Sequence, residues 1–320
     1  MLVSILIPCY RSAKTLPFVV GEIREVFAAR EDYDYQIVLV NDGSPDDTYD
    51  VITRLCAEDP KIIGVDLSRN YGQQAAKMAA LEYADGDAVV YMDDDGQHPA
   101  EGIFSLVEKL SEGYDIVYAR FPQKRHSGFK KITSRLYQKV SEWVGNKPKG
   151  LSVSSFTAWS RSTADAARRY RSPFPAPGLY LNHVTTRVAN VDMEHRDRVA
   201  GESTYTFGKL IGLTVTALTN FSIVPLRLAS FIGGVCSVVG FVAGLVVVIR
   251  KIVNPHQVFA GYSSIIAVIL FIGGIIMMIL GILGEYVGRI YMTVSDMPQF
   301  TIRRTINAPK TGTDSRRATA

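Results

Sequence analysis

The chain has 320 residues, a formal net charge of +4 at pH 7 and 47% hydrophobic residues. This length suits one large domain or two units. The modest positive charge favours a surface close to lipid over a nucleic-acid-binding protein. Its three cysteines, Cys9, Cys56 and Cys236, are scattered along the chain. They exclude a disulfide framework and a cysteine-based metal site, as expected in reducing cytosol.

Charge is distributed unevenly along the chain. Residues 1 to about 200 mix charged and apolar residues, whereas Leu228–Ile249 and Tyr262–Gly284 contain no charged residue. Each run reaches the roughly 20 residues that a membrane helix needs. The sequence therefore predicts two transmembrane helices within 227–288. Two buried helices of a large soluble core are the alternative.

The flanking charges predict how these spans are oriented. The N-terminus has no basic region and begins with a strand, Leu2–Ile7, so no signal peptide is expected. The link between the spans carries only Arg250 and Lys251, whereas the segment after them, 289–320, is basic. This bias predicts that both termini and the first domain are cytoplasmic.

Strands and helices alternate in the first 200 residues, which predicts an α/β fold with a mostly parallel sheet and helices on both faces. Predicted strands are 2–7, 35–40, 62–67, 88–92, 115–119 and 186–193. Predicted helices are 15–29, 71–83, 99–113 and one that Asp46 or Asp47 caps and that ends near Cys56. The Pro-rich stretch 172–178 predicts an irregular loop. Because ligands bind beyond the carboxyl ends of such strands, Tyr10, Asp42, Arg69 and the acids after residue 92 are expected along one rim.

The fourth predicted strand, 88–92, leads directly into Asp93-Asp94-Asp95-Gly96-Gln97. Three adjacent carboxylates repel one another, so a cation is their natural partner. Carboxylate and amide oxygens favour Mg²⁺ or Mn²⁺ over zinc, and such ions commonly bridge to substrate phosphates. A solvated acidic turn is the alternative reading of these residues.

Two further segments have helical apolar spacing. Basic residues between 124 and 139 alternate with apolar ones from Phe129 onward, which indicates a solvated basic helix or one lying on anionic lipid. Residues 205–221 predict an amphipathic helix on the membrane, within an interfacial segment 201–226. In the spans, Gly240 with Gly244 and Gly284 with Gly288 permit close helix packing, within the chain or in a homo-oligomer.

Several motifs occur together in an order that is specific to one family. They are Ser4-Ile5-Leu6-Ile7-Pro8-Cys9-Tyr10, Val40-Asn41-Asp42-Gly43-Ser44, Ser68-Arg69-Asn70-Tyr71-Gly72, Met92 to Pro99, Arg198 with Gly201 to Tyr205, and Gly284 to Tyr291. From Val3 to about Arg304 the chain resembles family 2 glycosyltransferases of the GT-A (Rossmann-like) fold. It is most similar to the two-span polyprenyl-phosphate glycosyltransferases, the group of dolichyl-phosphate mannose synthase and bacterial undecaprenyl-phosphate sugar transferases.

The resemblance implies roles for individual residues. Pro8 and Tyr10 would line the nucleotide base pocket, Asp42 would bind the base or ribose, and Arg69 and Lys77 would lie near the nucleotide. The metal ligands would be Asp93, Asp95 and Gln97, which alternate and therefore point the same way in an extended chain. As a ligand of the metal that binds the donor diphosphate, Asp95 would also be a catalytic residue. Asp94 would turn toward the sugar or a neighbouring backbone. Arg198 and Arg120 would hold the acceptor phosphate, for which the planar guanidinium is suited; a surface ion pair with Asp197 or Glu202 is the alternative for Arg198.

One segment departs from the family pattern. Many family 2 enzymes have an acidic catalytic base in the segment corresponding to Leu151–Trp159, and this chain has Ser152-Val153-Ser154-Ser155-Phe156 there. A lipid phosphate has a second pKa near 6, so it is an anion at neutral pH and needs no base. The missing acid therefore fits a phosphate acceptor.

The resemblance as a whole implies an inverting transfer from a nucleotide-sugar, by family habit a UDP-sugar, to undecaprenyl phosphate or a similar polyprenyl phosphate. The expected organisation is a cytosolic GT-A domain (1–200), an interfacial helix (201–226), a transmembrane hairpin (227–288) and a basic cytosolic tail (289–320). The expected location is the cytoplasmic face of the bacterial plasma membrane, with the bilayer as a partner. Two alternatives are a GT-A enzyme with a hydroxyl acceptor and a non-catalytic membrane protein that binds nucleotide-sugar.

Overall fold

The structure is a computed structural model that describes residues 1–121, 151–194, 196, 224–253 and 261–309. The chain divides into two compact units. One unit is Met1–Thr204 together with Asp296–Ala320, and the other is Tyr205–Ser295. The first unit is therefore discontinuous in sequence.

The first unit contains one eight-stranded sheet and six helices among its described residues. The strands are β1 (Leu2–Cys9), β2 (Asp34–Asn41), β3 (Ile62–Leu67), β4 (Ala88–Tyr91), β5 (Ile116–Arg120), β6 (Thr157–Ser160), β7 (Val188–Asp192) and β8 (Ile302–Ile306). The helices are α1 (Leu16–Ala28), α2 (Thr48–Glu58), α3 (Gln73–Leu81), α4 (Gly102–Ser111), α5 (Arg161–Arg168) and α6 (Pro177–Val184).

The strand order is β7-β5-β6-β4-β1-β2-β3-β8. β1 pairs in parallel with both β2 and β4, β2 with β3, and β5 with β7. β6 is antiparallel to its neighbours β4 and β5, and β8 is antiparallel to β3. Six strands thus run in one direction and two in the other, which makes the sheet mixed but mostly parallel, as expected.

Helices cover both faces of the sheet, and the alternation of side chains along the strands explains why. In β1, Ile5 and Ile7 belong to a buried cluster with α1, α2 and α4, whereas Leu6 belongs to a second cluster with α3, α5 and α6. Successive strand residues point to opposite faces. Central strands that are buried on both sides therefore read as continuous apolar runs.

The structure differs from the sequence expectations in five places. Strands β6 and β8 and helix α5 were not predicted. The irregular stretch 172–178 ends early, because α6 begins at Pro177, where the fixed φ of proline suits a first helical position. The predicted tail 289–320 is not one piece, since the last helix continues to Val294 and 302–306 form β8.

The second unit contains α7 (Val224–Val253) and α8 (Tyr262–Val294), which contact each other. In the described part of the chain one helical stretch, Phe271–Val294, is long and apolar enough to cross a membrane, with a mean hydropathy of 1.9. A shorter apolar stretch, Gly233–Val242, lies in α7. The stretch Phe271–Val294 overlaps the predicted span Tyr262–Gly284, whereas the predicted span Leu228–Ile249 stays a prediction. Nearly all of the interfacial segment 201–226 and the whole basic segment 124–139 lie outside the described residues.

Candidate functional site

The carboxyl ends of six strands lie at one edge of the sheet, and the candidate residues follow them there. Tyr10 follows β1, Asp42 follows β2, Arg69 lies just beyond β3, and Asp93 lies just beyond β4. The backbone N–H of Asp42 donates to the Cys9 carbonyl at 3.0 Å. The predicted convergence on one rim is thus present in the structure.

The Asp93 carboxylate accepts hydrogen bonds from two other segments of the chain. The Gln73 side-chain amide donates to its Oδ1 at 2.9 Å, and the Ser155 hydroxyl donates to its Oδ2 at 2.5 Å. Its backbone N–H donates to His98 Nδ1 at 3.1 Å. Two segments that are distant in sequence therefore hold the Asp93 side chain, which was predicted as a metal ligand, and His98 accepts from its backbone.

The Asp94 carboxylate is held at the end of β1. Its Oδ2 accepts hydrogen bonds from the Ser12 hydroxyl and from the Tyr10 backbone N–H, the latter at 3.2 Å. Burial raises the pKa of Asp94 to about 6, although these hydrogen bonds oppose the shift. Of the two orientations expected for Asp94, the structure has the one toward a neighbouring backbone.

Asp95 and Gln97 lie in a tight turn at the same rim. Asp95 Oδ1 accepts the Gln97 backbone N–H at 3.1 Å, and Gly96 between them has φ +73°. Within the described residues no cluster of three or more His, Cys, Asp or Glu side chains is arranged to hold a metal. A Mg²⁺ ion commonly takes only one or two protein carboxylates and completes its shell with substrate phosphates and water. The hard oxygens of Asp93, Asp95 and Gln97 fit that kind of site.

Asp42 is buried and accepts hydrogen bonds from the backbone of the loop before α3. Its Oδ1 accepts the Tyr71 N–H at 2.7 Å and its Oδ2 accepts the Gly72 N–H at 2.9 Å. Burial raises the pKa of Asp42, whereas these two hydrogen bonds lower it. Any contact of Asp42 with a nucleotide would therefore add to its bonds with this loop.

The remaining predicted nucleotide residues differ in exposure. Lys77 is 8% exposed with its Nζ 5.5 Å from the centroid of the Tyr91 ring. Burial lowers the pKa of Lys77, and the charge of Asp93 opposes that shift. Arg69 is exposed, and its guanidinium lies 4.7 Å from the Tyr71 ring centroid. Pro8 is buried within β1, whereas Tyr10 is 45% exposed.

Of the two arginines predicted to bind the acceptor phosphate, the structure describes Arg120 only. Arg120 lies at the end of β5, exposed, and its guanidinium pairs with Asp192, with Nη2 2.6 Å from Oδ2. Arg198 lies outside the described residues. Arg196 is described, and its backbone N–H donates to the Gln97 carbonyl at 3.4 Å. Its guanidinium contacts Glu22 and Glu101.

The sequence reading assigned no role to four side chains that contact the acids of the rim. They are Ser12, Gln73, His98 and Ser155. His98 follows the acidic cluster directly, and Ser155 lies in the segment noted for its missing acid. No sequence signal linked either residue to Asp93. For Ser155 the reason is that its contact depends on how β4 and β6 pair.

Comparisons with known proteins show which families the chain matches. A family model described as glycosyl transferase family 2 matches residues 4–172, and one described as GtrB C-terminal hairpin matches residues 224–290. The prophage bactoprenol glucosyl transferase homolog of Escherichia coli (strain K12) is 31% identical over 309 residues, which cover 95% of this chain and 99% of that protein. The undecaprenyl-phosphate 4-deoxy-4-formamido-L-arabinose transferase of Klebsiella pneumoniae (strain 342) is 33% identical over 311 residues, covering 97% and 95%.

Among solved structures, glucosyl-3-phosphoglycerate synthase from Mycobacterium tuberculosis, in complex with Mn²⁺, UDP-glucose and phosphoglyceric acid, has a TM-score of 0.48. It is 18% identical and covers 68% of this chain and 77% of that chain.

Proposed function

The chain belongs to glycosyl transferase family 2, and from this premise we propose that it moves a sugar from a nucleotide-sugar to a polyprenyl phosphate. We further propose a UDP-sugar as donor, undecaprenyl phosphate as acceptor, and inversion at the anomeric carbon. Relatives whose names specify bactoprenol and undecaprenyl phosphate support this acceptor class.

One observation carries the choice of a phosphate acceptor. The loop Leu151–Phe156 brings a hydroxyl, that of Ser155, to Asp93 and contains no acid. A sugar hydroxyl has to lose its proton to a base when it attacks, whereas a phosphate monoester already carries negative charge at neutral pH. The loop thus supports an acceptor that needs no protein base.

Donor binding follows from the residues of the rim. Asp93, Asp95 and Gln97 would hold Mg²⁺ or Mn²⁺, which when bound neutralises charge on the diphosphate leaving group. Lys77 would add a positive charge near Asp93. Pro8, Tyr10, Asp42 and Arg69 would form the nucleotide end of the site, while Asp94 would hold the end of β1 through Ser12 and Tyr10.

The acceptor phosphate would bind Arg120 and Arg198. Since Arg120 pairs with Asp192, the phosphate would share or displace that carboxylate. One phosphate oxygen would attack the anomeric carbon from the face opposite the leaving group. A new carbon–oxygen bond forms to the lipid phosphate, the bond to the nucleoside diphosphate breaks, and its electron pair leaves with the diphosphate.

We also propose where the reaction takes place. The catalytic domain would lie at the cytoplasmic face of a bacterial plasma membrane, held by two spans and the interfacial segment 201–226, with both termini cytoplasmic. The apolar stretch Phe271–Val294 supports a membrane location. The small-residue pairs in the spans would allow a homo-oligomer.

A transfer assay tests the proposed reaction. Membranes that contain the full-length protein are incubated with single nucleotide-sugars, undecaprenyl phosphate and Mg²⁺ or Mn²⁺. We expect an acid-labile glycolipid with one donor, detected by chromatography and mass spectrometry. Transfer to a hydroxyl acceptor alone, or nucleotide-sugar binding without any product, would overturn the proposal.

Asp95→Asn tests the assignment of the metal site. We expect it to reduce transfer by at least about a hundredfold, because an amide supplies one neutral oxygen in place of a charged carboxylate near the diphosphate. The matched control is Asp50→Asn, which neutralises an exposed acid in α2 and should leave the rate unchanged. Normal turnover by Asp95→Asn would remove Asp95 from the site.

A further inference from the structure

The ring of His98 is buried and stacks against two phenylalanine rings. It is 5% exposed and stacks against Phe156 at 4.8 Å between ring centroids and against Phe121 at 5.9 Å. The interplanar angles are 9° and 4°. Phe156 is itself fully buried, and a Cβ added to Gly102 would lie 3.0 Å from its ring. The imidazole therefore has little freedom to rotate.

The edge of the imidazole is directed at Asp93. Nδ1 accepts the Asp93 backbone N–H at 3.1 Å. A neutral imidazole that accepts at Nδ1 carries its proton on Nε2. That nitrogen lies 3.5 Å from the Ser155 hydroxyl and 3.8 Å from Asp93 Oδ2.

Ser155 completes this arrangement from the loop before β6. Its hydroxyl donates to Asp93 Oδ2 at 2.5 Å, so its own oxygen is left to accept from Nε2–H. Asp93 Oδ2 therefore accepts a hydrogen bond from Ser155, and His98 in turn orients the Ser155 hydroxyl. Hydrogen-bond partners of this kind orient metal ligands and are worth about tenfold to a hundredfold in metal affinity or activity.

We propose that His98 and Ser155 are a positioning pair that holds the Asp93 carboxylate in the orientation needed to bind the divalent cation with the donor diphosphate. This inference rests on the proposed function, since it takes Asp93 as a metal ligand. It assigns a role to the loop Leu151–Phe156: in place of a catalytic acid, the loop supplies a hydrogen bond that prepares the metal site.

The test measures binding of Mn²⁺ to the full-length protein in detergent with UDP present, from the electron paramagnetic resonance signal of free Mn²⁺. We expect Ser155→Ala and His98→Leu to weaken Mn²⁺ binding by about tenfold to a hundredfold. Ser155→Thr keeps the hydroxyl and should bind like the wild type. His98→Asn keeps an acceptor near the position of Nδ1 and should recover part of the loss.

The matched control is Ser154→Ala, which removes a neighbouring hydroxyl that donates to the Phe156 carbonyl at 2.8 Å and not to Asp93. It should leave Mn²⁺ binding unchanged. Two further readouts separate positioning from a general structural role. The first is UDP binding in EDTA, which should be unchanged in the Ser155 variants. The second is the Mn²⁺ dependence of transfer. In the transfer assay the Mn²⁺ concentration for half-maximal rate should rise while KM for the lipid stays constant.

Asp93→Asn distinguishes the two ways of failing. If it weakens Mn²⁺ binding while Ser155→Ala and His98→Leu bind like the wild type, the positioning pair is refuted and the proposed metal site stands. If Asp93→Asn itself binds Mn²⁺ like the wild type, the metal assignment fails and the inference fails with it.

Discussion

Asp94 should make the stability of the protein depend on pH. Its pKa is about 6 in the folded protein and 3.8 ordinarily, chiefly because burial penalises the charged form. A carboxyl whose folded pKa is raised binds its proton more tightly when folded. The stability that this gives is therefore present below pH 4 and is lost as pH rises to about 6.

Asp94→Asn tests this dependence. In EDTA, we expect the free energy of unfolding of the wild type to fall by up to roughly 3 kcal/mol between pH 4 and 6.5 from this group. Asp94→Asn should flatten that fall, because the amide does not titrate. Thermal unfolding at a series of pH values measures it, with Asp50→Asn as the control. An unchanged pH profile in Asp94→Asn would contradict the assignment.

At the residue scale the sequence predicted which side chains gather at the rim but not what holds them. The acidic run after a buried strand suggested a cation or a solvated turn, and the resemblance to family 2 glycosyltransferases selected Asp93, Asp95 and Gln97 as ligands. The bond from Ser155 to Asp93 joins residues 62 positions apart. Such a contact depends on strand pairing, which local patterns do not encode.

The backbones of two loops at the rim, the loop after β2 and the loop before α3, are in close contact. Gly43 has φ +59°, and a Cβ there would lie 2.5 Å from the carbonyl carbon of Arg69 and from the nitrogen of Asn70. Asp42 joins the same loops through the amides of Tyr71 and Gly72. The turn therefore needs a residue that tolerates positive φ and has no side chain.

Gly43→Ala should destabilise the first unit by about 2 kcal/mol or more, because it combines positive φ with a clash against backbone atoms. Gly21→Ala is the matched control, since Gly21 lies in α1 with nothing within 4 Å of its added Cβ. There alanine should stabilise by up to about 1 kcal/mol, from its higher helix propensity. Thermal unfolding of both variants measures the difference; equal midpoints would contradict the close contact of the loops.

At the element scale, strands buried on both faces were predictable and short or peripheral ones were not. β1 to β4 show as apolar runs, because the two clusters of the core cover both sides of them. β6 has four residues, and the helix after it, α5, is largely polar. β8 is an edge strand with two arginines. Edge strands pair on one side only and commonly carry charge, which weakens their apolar pattern.

At the scale of the whole molecule, the segment after α8 completes the first unit. Arg304 contacts the buried Asp66 at 3.1 Å and lies 4.0 Å from the Tyr49 ring centroid. Arg303 donates to the Ser68 carbonyl at 2.7 Å, and the Ser68 N–H donates to the Thr301 carbonyl at 2.9 Å. These bonds connect β8 to the start of the loop that Asp42 holds.

Truncation tests this connection. Removing residues 296–320 should lower the midpoint of thermal unfolding by several degrees and weaken UDP binding, because β3 loses its partner strand and Ser68 loses its bond to Thr301. Removing only 310–320 is the control and should change neither quantity. If the longer truncation unfolds and binds UDP like the full chain, β8 contributes nothing to the nucleotide site.

The position of β8 also sets an order of events during synthesis. Residues 302–306 leave the ribosome only after α7 and α8 have been made, so until then β3 is an open edge with unpaired backbone groups. Such an edge readily pairs with other chains. A nascent chain would therefore complete the proposed nucleotide end of the site last, after both of its long apolar helices have been made. If the proposed function holds, sugar transfer would then begin only after the helices that would anchor the enzyme have been made.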